Sequence, residues 1–208
     1  MYMHQIGPSK VDPLNRALHK RFTGMHGELR HDRGQMRWPT EEEAAGLVFR
    51  GNNLYRDLRG TGWDEARLIH EQESAAVAAW EQQGGWHVRQ SLAPLTQNWA
   101  DAHHGMDLGV TAATYAIAAA GGIPVSSCNG AAFGGDHLDD IPVLAFWWRA
   151  SALKVLIECV ETAGMSTWMN NHGTVVVGGN YIRRYLMLAD ALHARRAFFD
   201  RRLELRRR

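Results

Sequence analysis

The residues best suited to chemistry are Ser126–Gly130, with the sequence Ser-Ser-Cys-Asn-Gly, which follow an apolar segment. A strand holds its side chains rigidly, and a following glycine lets backbone amides approach a ligand, so this pattern favours a polar pocket. Cys128 would act there as a nucleophile if His137 came within hydrogen-bond reach. We therefore expect Cys128 and His137 to be catalytic, and we expect four neighbours to bind the ligand: Ser126, Ser127, Asn129 and Gly130. The alternative is an inert, packed cysteine beside a flexible glycine-rich loop.

Two further residues are expected at this pocket. Asp107 is predicted to cap the helix that precedes the strand. That helix start would place Asp107 and the nearby His104 next to the pocket, so we expect both to bind the ligand. The nearby histidines and aspartates include ligands that zinc, manganese or iron accept. However, adjacent histidines point in different directions, and no HExxH spacing occurs, so no metal is assigned.

A second candidate surface is the arginine-rich end of the chain. From His193 onwards there are seven arginines and two acidic residues, although the whole chain has a formal net charge of only +1. Phosphate binding is the functional interpretation, which makes RNA a candidate partner. The nucleic-acid-binding residues would be Arg195, Arg196, Arg201 and Arg202. A solvated helix end, whose cations favour the negative end of the helix dipole, is the alternative.

Composition excludes several classes of protein. The chain has 208 residues, 45% of them hydrophobic, which is typical of one globular domain. Neither GxGxxG nor GxxxxGK[ST] occurs, so the sequence lacks the glycine-rich phosphate-binding loops of Rossmann and P-loop proteins, and both classes are excluded. Two cysteines are too few for a disulfide framework, which favours a reducing compartment. We find no apolar run that would span a membrane and no signal peptide, so we expect a cytoplasmic protein with no membrane partner.

The helices and strands that the sequence predicts, which must position these residues, indicate an α+β fold. Residues 1–39 are predicted to be an extended arm, and 40–208 a single domain. A helical hairpin over 40–83 would begin at an N-cap, Thr40, with its first helix reaching about Leu58 and its second starting near Thr61. The core over 107–208 has the order α-β-β-α-β-β-α, as two tandem units. It predicts a four-stranded mixed or antiparallel sheet with helices on one face.

Finer details of this core are also predicted. The strands are expected at 123–128, 141–148, 165–169 and 174–177. Ser151 would cap the helix between the two units, and one long helix would run from about Asn180 to the end. Within the Trp147-Trp148 pair, one ring should face the core and the other the opposite side of the sheet. The second ring would stack on a base, or pack beneath the N-terminal arm or at a dimer interface.

The segment from Asp107 to about Val177 resembles the tRNA wybutosine-synthesizing protein 3 family. The resemblance is carried by Ser-Ser-Cys-Asn-Gly after an alanine-rich helix, by the apolar strand 141–148, and by the helix ending Glu-Thr-Ala-Gly at 161–164. The family motif is SSCSGR, so Asn129 replaces a serine and Ala131 replaces the arginine. The resemblance implies a small α+β enzyme that methylates a modified tRNA guanosine, with S-adenosylmethionine as cofactor and RNA as substrate.

Two functional hypotheses follow. In the first, the protein is a nucleotide- or S-adenosylmethionine-dependent enzyme acting on RNA, and His137 acts as a general acid or base near neutral pH. In the second, it is a non-catalytic interaction protein, expected to be a homo-oligomer, whose last helix and outward tryptophan form the interface.

Overall fold

The computed structural model describes residues 36–45, 56–82, 93–130, 132–133, 141–170, 172–179 and 181–204. Within these ranges the chain adopts the expected α+β fold, a four-stranded antiparallel sheet with helices packed against it. The helices are α1 Glu41–Ala44, α2 Trp63–Gln82, α3 Ala93–Ala102, α4 Thr111–Ala119, α5 Leu153–Thr162, α6 Ile182–Ala194 and α7 Arg196–Glu204. The strands are β1 Ile123–Cys128, β2 Val143–Trp147, β3 Ser166–Met169 and β4 Val175–Gly178. The predicted order of the core is confirmed.

The sheet has the order β1-β2-β4-β3, and every neighbouring pair is antiparallel. Alternate residues face the helices, so Leu144 and Phe146 of β2 join the main core with side chains of α4, α5 and α6. Trp148 also belongs to that core, whereas Trp147 lies on the opposite face. There Trp147 packs against Trp38, and the Arg37 guanidinium carbon lies 4.5 Å from its ring centre. The two tryptophans therefore point to opposite faces, as predicted.

Helix α4 is buried along its whole length. All nine of its residues are shielded from solvent, and five of them are alanine. Small side chains let neighbouring elements approach closely, but a helix without water around it must satisfy its first backbone N–H groups within the protein. The preceding residue, Val110, offers no side-chain cap. Another part of the chain must therefore supply the acceptors.

That acceptor is the carboxylate of Glu73 on α2, which is 0% exposed. Glu73 Oε1 accepts hydrogen bonds from the amides of Gly109 at 2.6 Å and Thr111 at 3.0 Å. Its Oε2 accepts one from the Ala112 amide at 2.7 Å. Negative charge is also favoured at the positive end of the helix dipole. Helix α2 therefore caps α4 from outside.

This arrangement corrects the prediction that Asp107 caps α4. The N-cap residue is Val110, and the Asp107 carbonyl accepts a hydrogen bond from the Thr111 hydroxyl at 2.8 Å. The predicted cap failed because the true acceptor lies 36 residues before Gly109 in the chain. A local motif cannot show such a contact.

Other boundaries also differ from the predictions. Thr40 does cap a helix, with the expected capping box to Glu43, but the described part of that helix ends at Ala44, and Leu58 lies outside any helix. Ser151 caps nothing, because it lies in a 3-10 turn and Ala152 is the N-cap of α5. The last helix is divided at Arg195 into α6 and α7. Helix α3 was not predicted, while residues 1–35 of the predicted arm and 46–55 of the first hairpin helix lie outside the described ranges.

Glu73 makes stability depend on pH. Burial raises its pKa to about 7 from an ordinary value of 4.5, although three backbone N–H groups favour the charged form. Between these two pH values the unfolded chain releases a proton that the folded chain keeps, so the free energy of unfolding should fall as pH rises. The total fall attributable to Glu73 is about 3 kcal/mol. Urea unfolding from pH 4 to 8 should show that Glu73→Gln removes this slope.

The matched control is Glu71→Gln on the same helix. The Glu71 side chain is 66% exposed and lies 4.0 Å from Arg67, so its removal should leave the slope unchanged. A slope that persists in Glu73→Gln, or that disappears in Glu71→Gln, would contradict this assignment.

Candidate functional site

The turn after β1 is tied to the segment before α4. The Asp107 Oδ2 atom accepts a hydrogen bond from the Asn129 amide at 3.1 Å. The Asn129 Nδ2 atom donates in return to the Leu108 carbonyl at 3.2 Å. The Gly130 amide donates to Cys128 Sγ at 3.3 Å. Four of the predicted site residues therefore meet in one hydrogen-bonded turn.

The three residues at the end of β1 do not share one face of the sheet. Ser127 pairs with Leu144, whose side chain faces the helices, so Ser127 points to that side. Ser126 and Cys128 point to the opposite side, and Ser126 is exposed. A ligand approaching Cys128 would therefore find Ser126 on the same face and Ser127 on the other.

Gly130 makes this tight turn possible. Its φ is +59°, which is the left-handed region, and a Cβ there would lie 2.2 Å from the Ile141 carbonyl carbon. It would also lie 2.5 Å from the Pro142 nitrogen. Since both obstacles are backbone atoms, no side chain fits at this position. The glycine fixes the direction of the amide that reaches Cys128.

The two cysteines have different surroundings. Cys128 is only partly buried and accepts the Gly130 N–H. Cys159 on α5 is 2% exposed, and its thiol donates to the Ala191 carbonyl at 3.5 Å. Burial raises the pKa of the Cys159 thiol to about 11, which keeps it protonated near neutral pH. Cys128 is the cysteine with access and a stabilising donor.

Asn129 is almost fully enclosed, with 2% of its surface exposed. Its Nδ2 is used by Leu108, but its Oδ1 is buried and accepts no hydrogen bond from the described part of the chain. Buried side-chain oxygens in folded proteins nearly always have a donor. This oxygen is therefore an acceptor that the described residues leave unused.

His104 lies three residues before Asp107, and none of the hydrogen bonds described above for the turn involves it. It is exposed and has φ of +57°, the left-handed conformation that ends α3. Its neighbour His103 stacks on Trp99, with ring centres 4.0 Å apart. Burial, and then the charge of His104, lower the pKa of His103. Across the described ranges, no three His, Cys, Asp or Glu side chains are grouped so that they could hold a metal ion.

The second predicted catalytic residue, His137, lies outside the described residues, as does the glycine-rich loop 134–140 around it. Its approach to Cys128 therefore stays a prediction.

Three of the four predicted nucleic-acid-binding arginines contact the protein itself. Arg195 pairs with Glu158 at 3.2 Å, and Arg196 pairs with Asp64 of α2 at 3.6 Å as well as with Asp200 of its own helix at 3.2 Å. Arg202 donates to the Ser151 carbonyl at 2.6 Å. Arg201 is exposed on α7. The arginines thus dock α7 onto the domain as well as charging its surface.

The sequence analysis missed Glu73, although a signal for it exists. Glu73 lies between Ile69 and Val77, four residues from each, on the face of α2 that is buried. A glutamate in an apolar stripe must find a hydrogen-bonding partner when the helix packs. Trp99 was also missed, and its Nε1 donates to the Thr111 hydroxyl at 3.0 Å, which supports the same segment.

Comparisons with protein-family models, with curated proteins and with solved structures gave no match for this chain. Within the described ranges, every helix is too short or too polar to cross a membrane.

The turn geometry predicts an unusually large effect of Gly130→Ala. Gly60 also has a positive φ, +90°, but no atom of the described residues would lie within 4 Å of a Cβ there, so Gly60→Ala measures backbone strain alone. We expect Gly60→Ala to lower the free energy of unfolding by about 1 kcal/mol. Gly130→Ala should lower it by about 1 to 3 kcal/mol more, because backbone must move. Urea denaturation of both variants measures this, and equal losses would contradict the geometry.

Proposed function

We propose that the protein binds a small polar ligand at Ser126–Gly130 and that Cys128 is the group that reacts with it. The observation that carries this proposal is the Gly130 N–H that lies 3.3 Å from Cys128 Sγ. A hydrogen-bond donor stabilises negative charge on sulfur, and the thiolate is the nucleophilic form of cysteine. The partial exposure of Cys128 leaves the sulfur open to a reaction partner.

Asn129 supports a specific ligand at the same turn. Its Oδ1 is buried without a donor among the described residues, while its Nδ2 is held by Leu108. Because only 2% of Asn129 is exposed, a ligand must place a slender donor, such as an amine or hydroxyl, into the turn. The contact would restore the hydrogen bond that the oxygen lacks.

The reaction class we propose is nucleophilic substitution at an electrophilic carbon that carries a leaving group. The Cys128 thiol loses its proton to a base, an S–C bond forms, and the electron pair of the broken bond leaves with the departing group. We propose His137 as that base, as the sequence analysis expects, because an imidazole with a pKa near 6.5 accepts protons near neutral pH.

S-adenosylmethionine is the ligand to test first, because the resemblance implies it. Its amino group and ribose hydroxyls are donors of the kind that Asn129 Oδ1 would accept. An RNA substrate is supported by the resemblance and by the exposed Arg201. A cytoplasmic location is supported by Cys128 and Cys159, which are both free thiols.

Two large apolar side chains are exposed among the described residues, Leu68 on α2 and Met187 on α6, and they favour the expected homo-oligomer. Single exposed apolar residues are ordinary on protein surfaces, so they do not define an interface. We therefore propose ligand binding as the primary function and native mass spectrometry as the check on subunit number.

Alkylation by iodoacetamide, followed by peptide mapping, tests the reactive thiol. In the folded protein Cys128 should react at least about tenfold faster than Cys159, because Cys159 is buried with a raised thiol pKa, whereas Cys128 is partly exposed. Cys128 should also react faster when folded than in urea, since the Gly130 contact exists only in the fold. His137→Ala should slow the reaction of Cys128, and S-adenosylmethionine should protect it.

Cys159→Ser is the matched control, and it should leave the labelling of Cys128 unchanged. Circular dichroism confirms that each variant is folded. Labelling of Cys128 that is slower in the folded protein than in urea would refute a reactive thiol. A reactive Cys128 that S-adenosylmethionine does not protect would instead exclude that ligand.

A further inference from the structure

The junction between α6 and α7 packs against the first residue of α2. The chain leaves helical geometry at Arg195, so α7 begins as a separate helix. The Trp63 ring centre lies 5.1 Å from that of His193 on α6 and 6.1 Å from that of Phe199 on α7. The Trp63 Nε1 also donates to Asp200 of α7 at 2.9 Å. Trp63 therefore contacts both helices on either side of the break.

The attachment of α7 depends strongly on this packing. Among its described side chains, Phe199 is the one that is buried, with 1% of its surface exposed. Arg196 pairs with Asp64 of α2, but the two side chains are 53% and 83% exposed. Exposed ion pairs contribute little to stability. A change that disturbs the packing around Trp63 should therefore loosen α7.

Two histidines face each other beside Trp63. The ring centres of His70 on α2 and His193 on α6 lie 6.3 Å apart. The Nε2 atom of each ring is buried and has no hydrogen-bond partner in the described part of the chain. His70 Nε2 does lie 3.3 Å from Asp190 Oδ1, a distance at which a protonated His70 would be attracted. A proton on His193 Nε2 would be a buried charged donor without an acceptor.

Charged groups from three helices act on His193. They are His70 and Arg67 from α2, Arg196 from α7, and Asp190 from its own helix. Asp190 and the negative end of the α6 dipole favour a positive charge on His193, while the other three groups oppose it. Burial has the largest effect, followed by the charge of His70, and together they lower the pKa of His193 from its ordinary value of 6.5.

This environment exists only while α7 is docked. Release of α7 and of the end of α6 would expose His193 to water, where its pKa returns to about 6.5. Well above that pH, His193 is neutral in both forms and pH has no effect. As pH falls below 6.5, the released form binds a proton that the docked form excludes, so docking weakens. This direction is opposite to that of Glu73, which stabilises the fold in acid, so the measurement must be local to α7.

We propose that His193 makes the docking of α7 sensitive to pH, so that α7 loosens from α2 in mild acid. The proposal stands on the contact of His193 with both His70 and Trp63, beside the break between α6 and α7. Since α7 carries Arg201 and Arg202, its release would also change how these arginines are presented to a partner. The inference does not depend on the reaction of Cys128.

Hydrogen–deuterium exchange of the full-length protein at pH 7.5 and 5.5, corrected for the intrinsic exchange rate at each pH, tests the proposal. The corrected exchange of the α7 amides should be at least about threefold faster at pH 5.5. The amides of β4, which pairs with strands on both sides, report global opening and should not accelerate. No acceleration in α7, or the same acceleration in β4, overturns the proposal.

His193→Phe keeps a ring against Trp63 but cannot bind a proton, so it should abolish the acceleration in α7. His193→Gln removes the ring as well, so α7 should exchange faster at both pH values without a further increase in acid. His172→Gln is the matched control, because His172 is exposed in the turn between β3 and β4, and it should behave as the wild type does. An acceleration that persists in His193→Phe or His193→Gln, or that is lost in His172→Gln, also overturns the proposal.

Discussion

The buried carboxylate of Glu73 is the interaction on which the rest of the domain depends. Helix α4 has no exposed residue, so water cannot satisfy its first amides, and its own cap residue, Val110, has no polar side chain. Glu73 accepts two of those amides, from Thr111 and Ala112, together with the Gly109 amide just before the helix. Burying a carboxylate is costly, and the three donors with the helix dipole offset part of that cost, so burial still raises the pKa of Glu73 to about 7. Helix α2 is thereby fixed against α4.

The same contact reaches the candidate site. Gly109 donates to Glu73, and two residues earlier Asp107 accepts from Asn129. The short segment 107–109 is therefore held from one side by α2 and from the other by the turn after β1. The position of Cys128, one residue before Asn129, therefore depends on both contacts. A distant acidic residue thus supports a thiol site without being part of it.

The sequence predicted what depends on local pattern and missed what depends on packing. The order of the core and the limits of β1 followed from apolar periodicity, and the Thr40 capping box followed from residues three apart. The sequence analysis also expected Asp107 to lie next to the turn formed by residues 128–130. The outside cap on α4 could not be read locally, because its acceptor and donors are 36 to 39 residues apart. The break at Arg195 was hidden because helical spacing continues through it.

Helix α4 links the two ends of the sheet through its dipole. Its positive end meets the buried carboxyl group of Glu73, and its negative end lies beside a cleft lined by Arg149 and Arg202. A helix made largely of alanine carries no charge of its own, so both complementary charges come from other elements. At the first end the charge is enclosed and committed to backbone amides. At the second end it borders solvent, so the two ends of α4 differ in their access to water.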